Sequence, residues 1–479
     1  MKMKSKITIC FIWSIIPLFA AILYCLVSEC FIWDIYLPDG WWNDEVVYYK
    51  QIGGIIKYGI PKGYFSYNEV SARIGTLGAW SPVAFVPYVI VGKIIGWNYF
   101  TPIITNLLYI CGAFFIWIKC VRISWKQNAC IALAYCAIPV ITRYVLSGMS
   151  ETIYFCGMII WASLWLSEKR DKKVTISLYI ISCLMTLIRP YYVLMFGIPL
   201  YYTAKKRKIT NVISGCVFAA VSVIGYFLIS KWFCAPYFEP LIKNLDLKNI
   251  LPLILNGLHE IFESIKKCIL EPHYAGEMYL IFLIMLVSIC VIVVMSVIRK
   301  QWEKVIMFSY ILFMNLALLG AIILLYDINV GSRHLCPFIL LDILIIIGGY
   351  HSYISKMLCF LLLFAALVIP KETYIYRLPT KGNGEVQHET EIRTREFDKI
   401  FELYEGITWD NTIVWTLGVN YNVFYSVPDG VGISICYPYV LENKEIFSKY
   451  VVTASDYVFA NDEYRAVFED EKCKVFERN

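Results

Sequence analysis

Long apolar segments that recur along the chain limit what it can fold into more than any other feature. About 20 apolar residues suffice for a helix that crosses a bilayer. The 479 residues are 59% hydrophobic and 17% charged, whereas soluble domains average about 45–50% apolar and about 25% charged. We therefore predict a polytopic all-α membrane protein with about 11 transmembrane helices. The predicted spans lie near residues 7–28, 101–119, 128–146, 150–167, 174–189, 190–204, 209–230, 278–298, 305–326, 336–350 and 357–370.

Four short segments rich in Lys and Arg determine the orientation that we predict. They cover residues 119–126, 169–173, 205–208 and 299–304, and loops of this kind stay in the cytoplasm. An odd number of spans places all four there together with the basic N-terminus, and leaves the C-terminus extracytoplasmic. The basic N-terminus, the compact loops and the lack of glycosylation sequons favour a bacterial plasma membrane. Because these loops account for the net charge of +6, we expect no nucleic-acid partner.

The remaining hydrophilic regions are then extracytoplasmic. They are two long loops, 29–100 and 231–277, and the tail 371–479. We divide the chain into a transmembrane domain, 1–370, and a small C-terminal extracytoplasmic α/β domain formed by the tail. In the tail, patterns typical of helix and strand predict a helix at 395–404, strands at 412–417, 450–453 and 457–460, and a hairpin at 464–476.

Two adjacent acids, Asp44 and Glu45, follow the first span in the stretch Trp41-Trp42-Asn43-Asp44-Glu45-Val46-Val47-Tyr48-Tyr49-Lys50. The predicted topology places them outside, close to the membrane. A carboxylate held there can act as a general base toward a hydroxyl or help to bind a divalent cation. The surrounding aromatic residues, Tyr48 among them, have two interpretations: an interfacial belt or a surface that stacks on a sugar.

Three arginines fall at predicted outer ends of helices, where the positive-inside rule predicts few. Arg143, Arg189 and Arg333 lack obvious acidic partners in the sequence, and guanidinium groups bind phosphate well. His334 adds a group that can change charge near neutral pH. Glu151 lies on the same predicted outer face. It is either an acid that interacts with the dipole at the start of a helix or part of a functional site. We expect these residues to form an outward-facing anion site.

The ordered motifs resemble those of the bacterial GT-C glycosyltransferases. Asp44-Glu45-Val46-Val47-Tyr48 is similar to the D-E-x-x-Y form of their acidic motif, and Met149-Ser150-Glu151 to the acid of their second outer loop. Arg189-Pro190 and Ser332-Arg333-His334 are similar to positions near the donor phosphate. The resemblance covers roughly residues 1–370. Further similarities lie at Gly59-Ile60-Pro61, Trp80-Ser81-Pro82-Val83 and Gly96-Trp97-Asn98 to Asn106.

This resemblance implies an enzyme that takes a sugar from a polyprenyl-phosphate donor and uses no nucleotide sugar. It implies Asp44 and Glu45 as catalytic acids, with Glu151, Arg143, Arg189, Arg333, His334 and Tyr48 binding substrate. A cell-surface glycan, lipid or protein would be the acceptor. The family's frequent H-P-P motif is absent, since Trp80-Ser81-Pro82 occupies that region. Some members need a divalent cation such as Mg²⁺ or Mn²⁺ and others do not, so the metal stays open.

Two other functions remain as alternatives. A polysaccharide polymerase or ligase would use the same lipid-phosphate chemistry but usually carries its basic residues in a large late periplasmic loop. A transporter of lipid-linked glycans would need polar groups deep within several spans. Asp342 is the main residue of that kind in this chain.

Overall fold

The computed structural model describes most of the chain. The predicted basic N-terminus, Trp41, Trp42 and Trp80 lie outside the described residues. So do parts of the predicted basic loops and of the loop 231–277. The described ranges are 11–39, 43–61, 65–67, 81–168, 171–205, 209–233, 250–349, 353–375, 384–401, 412–416, 418–437 and 446–479.

Helices form most of the structure up to residue 375, in agreement with the apolar pattern. Pro or a polar cap begins several of them, as at Ser124 and Asp171, whose side chains accept backbone N–H groups. The helices are α1 Ile16–Val27, α2 Asn43–Tyr58, α3 Val86–Ile95, α4 Thr101–Cys120, α5 Trp125–Cys136, α6 Pro139–Val145, α7 Glu151–Trp165, α8 Lys172–Ile188, α9 Gly197–Lys205, α10 Ile209–Phe233, α11 Ile250–Leu270, α12 Tyr274–Ile298, α13 Trp302–Leu325, α14 Ile328–Gly331, α15 Leu335–Gly349, α16 Tyr353–Val368, α17 Lys371–Ile375 and α18 Gly384–Ile400.

The count of 11 spans is not confirmed. Within the described residues, five helical segments are long and apolar enough to cross a membrane, and the number rises to six if a bent pair is one span. That pair is α5 and α6, which meet at an angle of 76°. Pro139 cannot continue the hydrogen-bond ladder of α5, so the predicted straight span at 128–146 is broken there. The protein is nonetheless a multi-pass helical membrane protein.

The helices run between two chemically different ends. At one end, Arg122 and Glu168 form an ion pair of 3.2 Å, and Lys205 and Glu303 form one of 3.3 Å. Gln127 donates to the Ile347 carbonyl oxygen, at the last turn of α15. The contacts therefore bring the segment 119–126 next to the end of α7, and Lys205 next to the segment 299–304. Which end faces the cytoplasm stays a prediction.

Helix α11 lies within the region predicted as the loop 231–277. One stripe of it, Gly257, Ser264 and Cys268, is buried, and a Cβ on Gly257 would come within 2.6 Å of the Ile323 side chain. A second stripe that includes Leu255 and Phe262 is exposed. Because the helix has a packed stripe and an exposed apolar one, it belongs to the folded membrane domain and is more than a connection.

A mixed six-stranded sheet contains β1 Phe65–Tyr67, β2 Thr412–Thr416, β3 Gly432–Cys436, β4 Tyr450–Ala454, β5 Tyr464–Glu469 and β6 Cys473–Arg478. The order of the strands across the sheet is β1-β3-β2-β4-β6-β5. The first four strands in this order run parallel, and β4-β6 and β6-β5 are antiparallel. The hairpin predicted at 464–476 is present as β5 and β6, whereas residues 457–460 form no strand.

One strand of this sheet comes from the first long loop. Strand β1 pairs with β3 more than 350 residues further along the chain, and the partners are Phe65 with Ile433 and Tyr67 with Ile435. An apolar cluster likewise joins Val46 and Tyr49 of α2 to Val423 of the tail. The tail and the first loop therefore fold together over the end of the bundle that carries the predicted site.

The orientation can be tested by labelling. We expect Val458→Cys, at a tail position that is 84% exposed, to react with a membrane-impermeant maleimide on intact cells. Gln301→Cys, in the short loop between α12 and α13, should react only after permeabilisation. The unmodified protein gives the background from native thiols such as Cys216 and Cys290, which are exposed. Labelling of Val458→Cys only in permeabilised cells contradicts the predicted orientation.

Candidate active site

Asp44 lies in the first turn of α2, where a carboxylate interacts favourably with the helix dipole. Its Oδ2 accepts a hydrogen bond from Nη1 of Arg333 at 2.5 Å. The Asp44 side chain is 41% exposed and that of Arg333 is 15% exposed. This ion pair therefore sits at the rim of the protein, where a ligand can reach both groups.

Glu45 lies in different surroundings from its neighbour Asp44. Successive residues on a helix point about 100° apart, so the Glu45 side chain points away from that of Asp44. Glu45 is only 1% exposed. Its Oε1 accepts the backbone N–H of Gly148 at 2.7 Å. Glu45 thereby ties α2 to the turn that precedes Glu151. Of the roles considered from the sequence, the structure favours an orienting one, and a solvated acid is excluded.

Two further side chains hold the same turn, and sequence analysis did not single out either as a site residue. Asn106 of α4 donates to the carbonyl oxygens of Val145 and Ser147 at 3.1 and 2.8 Å. Tyr88 donates to Asn106 Oδ1 at 2.6 Å and to the Met149 carbonyl oxygen at 3.2 Å. A fully buried Asn inside an apolar helix was the signal that could have identified this network.

Glu151, Arg189 and His334 form a buried cluster next to the rim pair. Arg189 Nη2 donates to Glu151 Oε1 at 3.3 Å, and its Nη1 contacts His334 Nδ1. Since a guanidinium can only donate, His334 Nδ1 is the acceptor in this contact. The Arg189 guanidinium also lies 4.2 Å from the ring centre of Tyr154. All three predicted residues are 0% exposed. The cluster therefore lies deeper in the protein than the ion pair of Asp44 and Arg333.

Tyr48 lies one turn after Asp44 and is buried against Phe85, with ring centres 5.3 Å apart. Burial raises the pKa of the Tyr48 phenol well above its ordinary value, and the Asp44 carboxylate adds to this effect. Tyr48 is therefore a neutral hydrogen-bond group beside the ion pair and cannot act as a base near neutral pH. Since it is only 4% exposed, it is also no part of an exposed membrane belt.

Arg143 belongs to a separate cluster. Its Nη2 donates to the Thr373 carbonyl oxygen at 2.7 Å and lies 3.8 Å from Glu277 Oε2. The Arg143 Nε donates to the Tyr24 hydroxyl at 3.5 Å. Both Arg143 and Glu277 are 0% exposed. These contacts join α1, α6, α12 and α17, so Arg143 fixes the start of the tail against the bundle.

The expectation that the three arginines lack acidic partners is wrong. Arg143, Arg189 and Arg333 each lie within 4 Å of a carboxylate, those of Glu277, Glu151 and Asp44 respectively. The acids lie 134, 38 and 289 positions away in the sequence, in the same order, so no local pattern could reveal the pairing. Only the Arg333 pair is open to solvent, which makes it the one candidate for direct contact with an anion among these three.

The tail contacts α2 on the side opposite to Asp44. Asp429 pairs with Lys50 at 3.4 Å, and its carbonyl oxygen accepts the Tyr58 hydroxyl at 3.2 Å. A Cβ on Gly53 would come within 2.5 Å of the Asp429 carboxylate, so glycine is needed for this close approach. Helix α2 is therefore held between the tail and the membrane bundle, and the tail helps to fix the position of Asp44.

A metal site is not evident from the side chains present. In the part of the chain that the structure describes, no group of three or more His, Cys, Asp or Glu side chains has an arrangement that could hold a metal ion. Asp44 and Glu45 point in different directions and are engaged by Arg333 and Gly148. The two adjacent acids therefore do not form a joint cation site in this arrangement.

Breaking the Arg143 pair should destabilise the protein. We expect Arg143→Met to lower the free energy of unfolding by about 3–5 kcal/mol, because it leaves Glu277 buried without its cation. Arg122→Met breaks an exposed pair with side chains 77% and 55% exposed, and should cost less than about 1 kcal/mol. Thermal unfolding in detergent measures both.

The double variant Arg143→Met/Glu277→Leu is the control for this prediction. It should recover part of the stability, since replacing both charges by apolar groups removes the unpaired acid. An Arg143→Met protein that is as stable as the unmodified one contradicts the structural role of this residue.

Comparisons with known proteins give a similarity of fold alone. No protein-family model and no curated protein matches the chain. The oligosaccharyltransferase of Archaeoglobus fulgidus, in complex with zinc and sulfate, is similar with a TM-score of 0.48 and 12% identity, over 92% of this chain and 68% of that chain. ArnT from Cupriavidus metallidurans, bound to undecaprenyl phosphate, has a TM-score of 0.44 and 10% identity, over 97% of each chain. At these scores the similarity carries no inference about activity, ligands or residue roles.

Proposed function

We propose that this protein is a membrane glycosyltransferase. It moves a sugar from a polyprenyl-phosphate donor to a glycan, lipid or protein acceptor at the outer face of a bacterial plasma membrane. One observation carries the proposal: Asp44 and Arg333 form an ion pair at the rim of the described membrane domain. The motifs that resemble the GT-C glycosyltransferases place the same two residues in an acidic and a phosphate-binding role.

Arg333 is the residue that we assign to the donor phosphate. Its Nη1 holds Asp44, and its buried Nε has no hydrogen-bond partner among the described residues. A guanidinium has five N–H donors in a planar fork, so Arg333 can bind a phosphate oxygen and still contact Asp44. A phosphate bound there lies directly beside the carboxylate.

Asp44 then serves as the general base. It takes the proton of the acceptor hydroxyl while the hydroxyl oxygen forms a bond to the anomeric carbon of the sugar. The bond between that carbon and the phosphate oxygen breaks, and its electron pair leaves with the polyprenyl phosphate. Arg333 stabilises the charge that develops on this leaving phosphate.

Arg189, Glu151 and His334 act as positioning residues in this proposal. They are fully buried and contact one another, so a phosphate would have to displace existing contacts to reach Arg189. Their combined role is to fix the short 3-10 turn Ser332–His334, which carries Arg333 just before α15, against the start of α7. Glu45 fixes α2 to the same region through Gly148.

The two alternatives receive less support. Asp342, on which the transporter hypothesis depends, is fully buried and is bound by Asn315 Nδ2, at 3.1 and 3.0 Å from its two carboxylate oxygens. Both groups are thus used in a contact between α13 and α15. A polymerase or ligase would share the donor chemistry and differ in its acceptor, so acceptor analysis separates it from the proposed function.

The activity can be measured in proteoliposomes. The donors are a panel of radiolabelled polyprenyl-phosphate hexoses and pentoses, and the acceptors are cell-surface glycan, lipid and protein fractions. We expect Asp44→Asn to reduce transfer by about 10²–10⁴-fold, the usual contribution of a general base. Donor binding should survive, because Arg333 remains.

Two variants serve as controls for Asp44. Glu45→Gln keeps an oxygen that can accept the Gly148 N–H, so it should be milder. Glu29→Gln removes an exposed acid just after α1 and should have no effect. Full activity of Asp44→Asn contradicts the assignment of the base, and a dead Glu45→Gln beside an active Asp44→Asn reverses the two roles.

Arg333 should tolerate no replacement. Arg333→Lys keeps the positive charge but loses the planar fork that joins Asp44 to the phosphate, so we expect at least about a tenfold lower transfer rate with an unchanged melting temperature. Arg395→Lys, on an exposed helix position with a side chain 75% exposed, is the control. Transfer at the normal rate by Arg333→Ala rules out a phosphate site at this residue.

A further inference from the structure

Gln51 is a buried polar side chain whose role no motif explains. It is 5% exposed, and neither its Nε2 nor its Oε1 has a hydrogen-bond partner among the residues that the structure describes. Leaving a buried donor or acceptor unsatisfied costs about 1–3 kcal/mol for each group. A side chain that carries both costs is expected at a functional site rather than in an ordinary core.

The helix places Gln51 on the side of the candidate site. Positions 44, 48 and 51 are separated by four and seven residues, so Asp44, Tyr48 and Gln51 form one stripe of α2. The next residue of this stripe, Ile55, packs against the apolar core of the bundle. Gln51 is therefore a polar residue at the inner end of a stripe that begins with the proposed base.

Other polar atoms of the same site also lack partners. Glu151 Oε2 and Arg333 Nε are buried without a hydrogen bond from any described residue. Tyr48 interacts electrostatically with both of these side chains, and it lies between Asp44 and Gln51 on the stripe. Glu151, Arg333 and Gln51 thus each have a buried polar atom without a hydrogen-bond partner among the described residues.

We propose that Gln51 binds a hydroxyl group of the sugar ring in the donor. This inference rests on the proposed function and adds to it a residue that determines which sugar is bound. A carboxamide offers both a donor and an acceptor, so its natural partner is a group that does the same. A hydroxyl qualifies, whereas a phosphate diester only accepts and a polyprenyl chain does neither.

The spacing along α2 fits a sugar held between the two residues. Seven residues of helix separate Asp44 from Gln51 by about 10 Å along the axis. The Gln side chain is the longer of the two and leans toward the start of the helix, as all helical side chains do. The carboxamide therefore reaches back toward the anomeric end of a donor whose phosphate lies at Arg333.

The test compares Gln51→Leu with the unmodified protein on two sets of donors. The probes are undecaprenyl-phosphate glucose, mannose and galactose, and the 2-, 3-, 4- and 6-deoxy analogues of the best of them. A hydrogen bond between Gln51 and one hydroxyl should give the unmodified protein at least about a tenfold preference in kcat/KM for the sugar over one deoxy analogue. Gln51→Leu should lose that preference and keep its discrimination at the other positions.

A structural control is available in the chain. Gln127 is also buried, but its Nε2 donates to the Ile347 carbonyl oxygen at 3.0 Å. Gln127→Leu should lower the melting temperature and affect all donors equally. Gln51→Leu should leave the melting temperature unchanged or raise it, because it removes no hydrogen bond within the described structure.

The outcomes separate this inference from the proposed function. If the ratio of kcat/KM for the sugar to that for the deoxy sugar is the same in Gln51→Leu and in the unmodified protein, Gln51 does not bind a hydroxyl. The same conclusion follows if Gln51→Leu unfolds at a lower temperature and loses activity equally for all donors. The proposed function then stands. If the unmodified protein transfers none of the hexoses and pentoses of the whole donor panel, the function and the inference both fail.

Discussion

The end of the bundle that carries the candidate site depends on the pairing of arginine with carboxylate in places that exclude water. Two such pairs, Arg189 with Glu151 and Arg143 with Glu277, have no exposure at all. Taking a charge out of water costs several kcal/mol, and a close opposite charge with further hydrogen bonds is needed to offset it. Each pair therefore constrains the two helices that supply it, and together they leave Arg333 as the guanidinium that can meet a ligand.

Helix α2 connects the remaining parts. Its first turn provides Asp44 to the rim and Glu45 to the turn before Glu151, while the opposite side receives Asp429 of the tail. The tail thus contacts the same helix that carries the proposed base. This arrangement explains why a chain would fold a strand from its first loop into the sheet of its last hundred residues, since the pairing holds both ends of the connection.

The sequence predicted the class of the protein and the residues near the rim, because apolar runs and chemically unusual charges are local signals. It could not predict the partners. Arg333 meets Asp44 across 289 positions, and the parallel pairing of β1 with β3 depends equally on distant contacts. Pro139 is present in the predicted span 128–146, but whether a proline bends a span or ends it depends on the packing around it. Gln51 was missed because a single amide in an amphipathic stretch is ordinary until its burial is known.

The charges at the rim fit the course of the proposed reaction. Asp44 and Glu151 carry two negative charges, and Arg189 and Arg333 carry two positive charges, so the four side chains are neutral together. As the sugar leaves its phosphate, negative charge grows on the phosphate. At the same moment Asp44 gains the proton of the acceptor and loses its own negative charge, which weakens its attraction to Arg333. The Arg333 guanidinium can then interact more strongly with the leaving phosphate as the negative charge of that phosphate grows. The total charge of the site stays constant through the step.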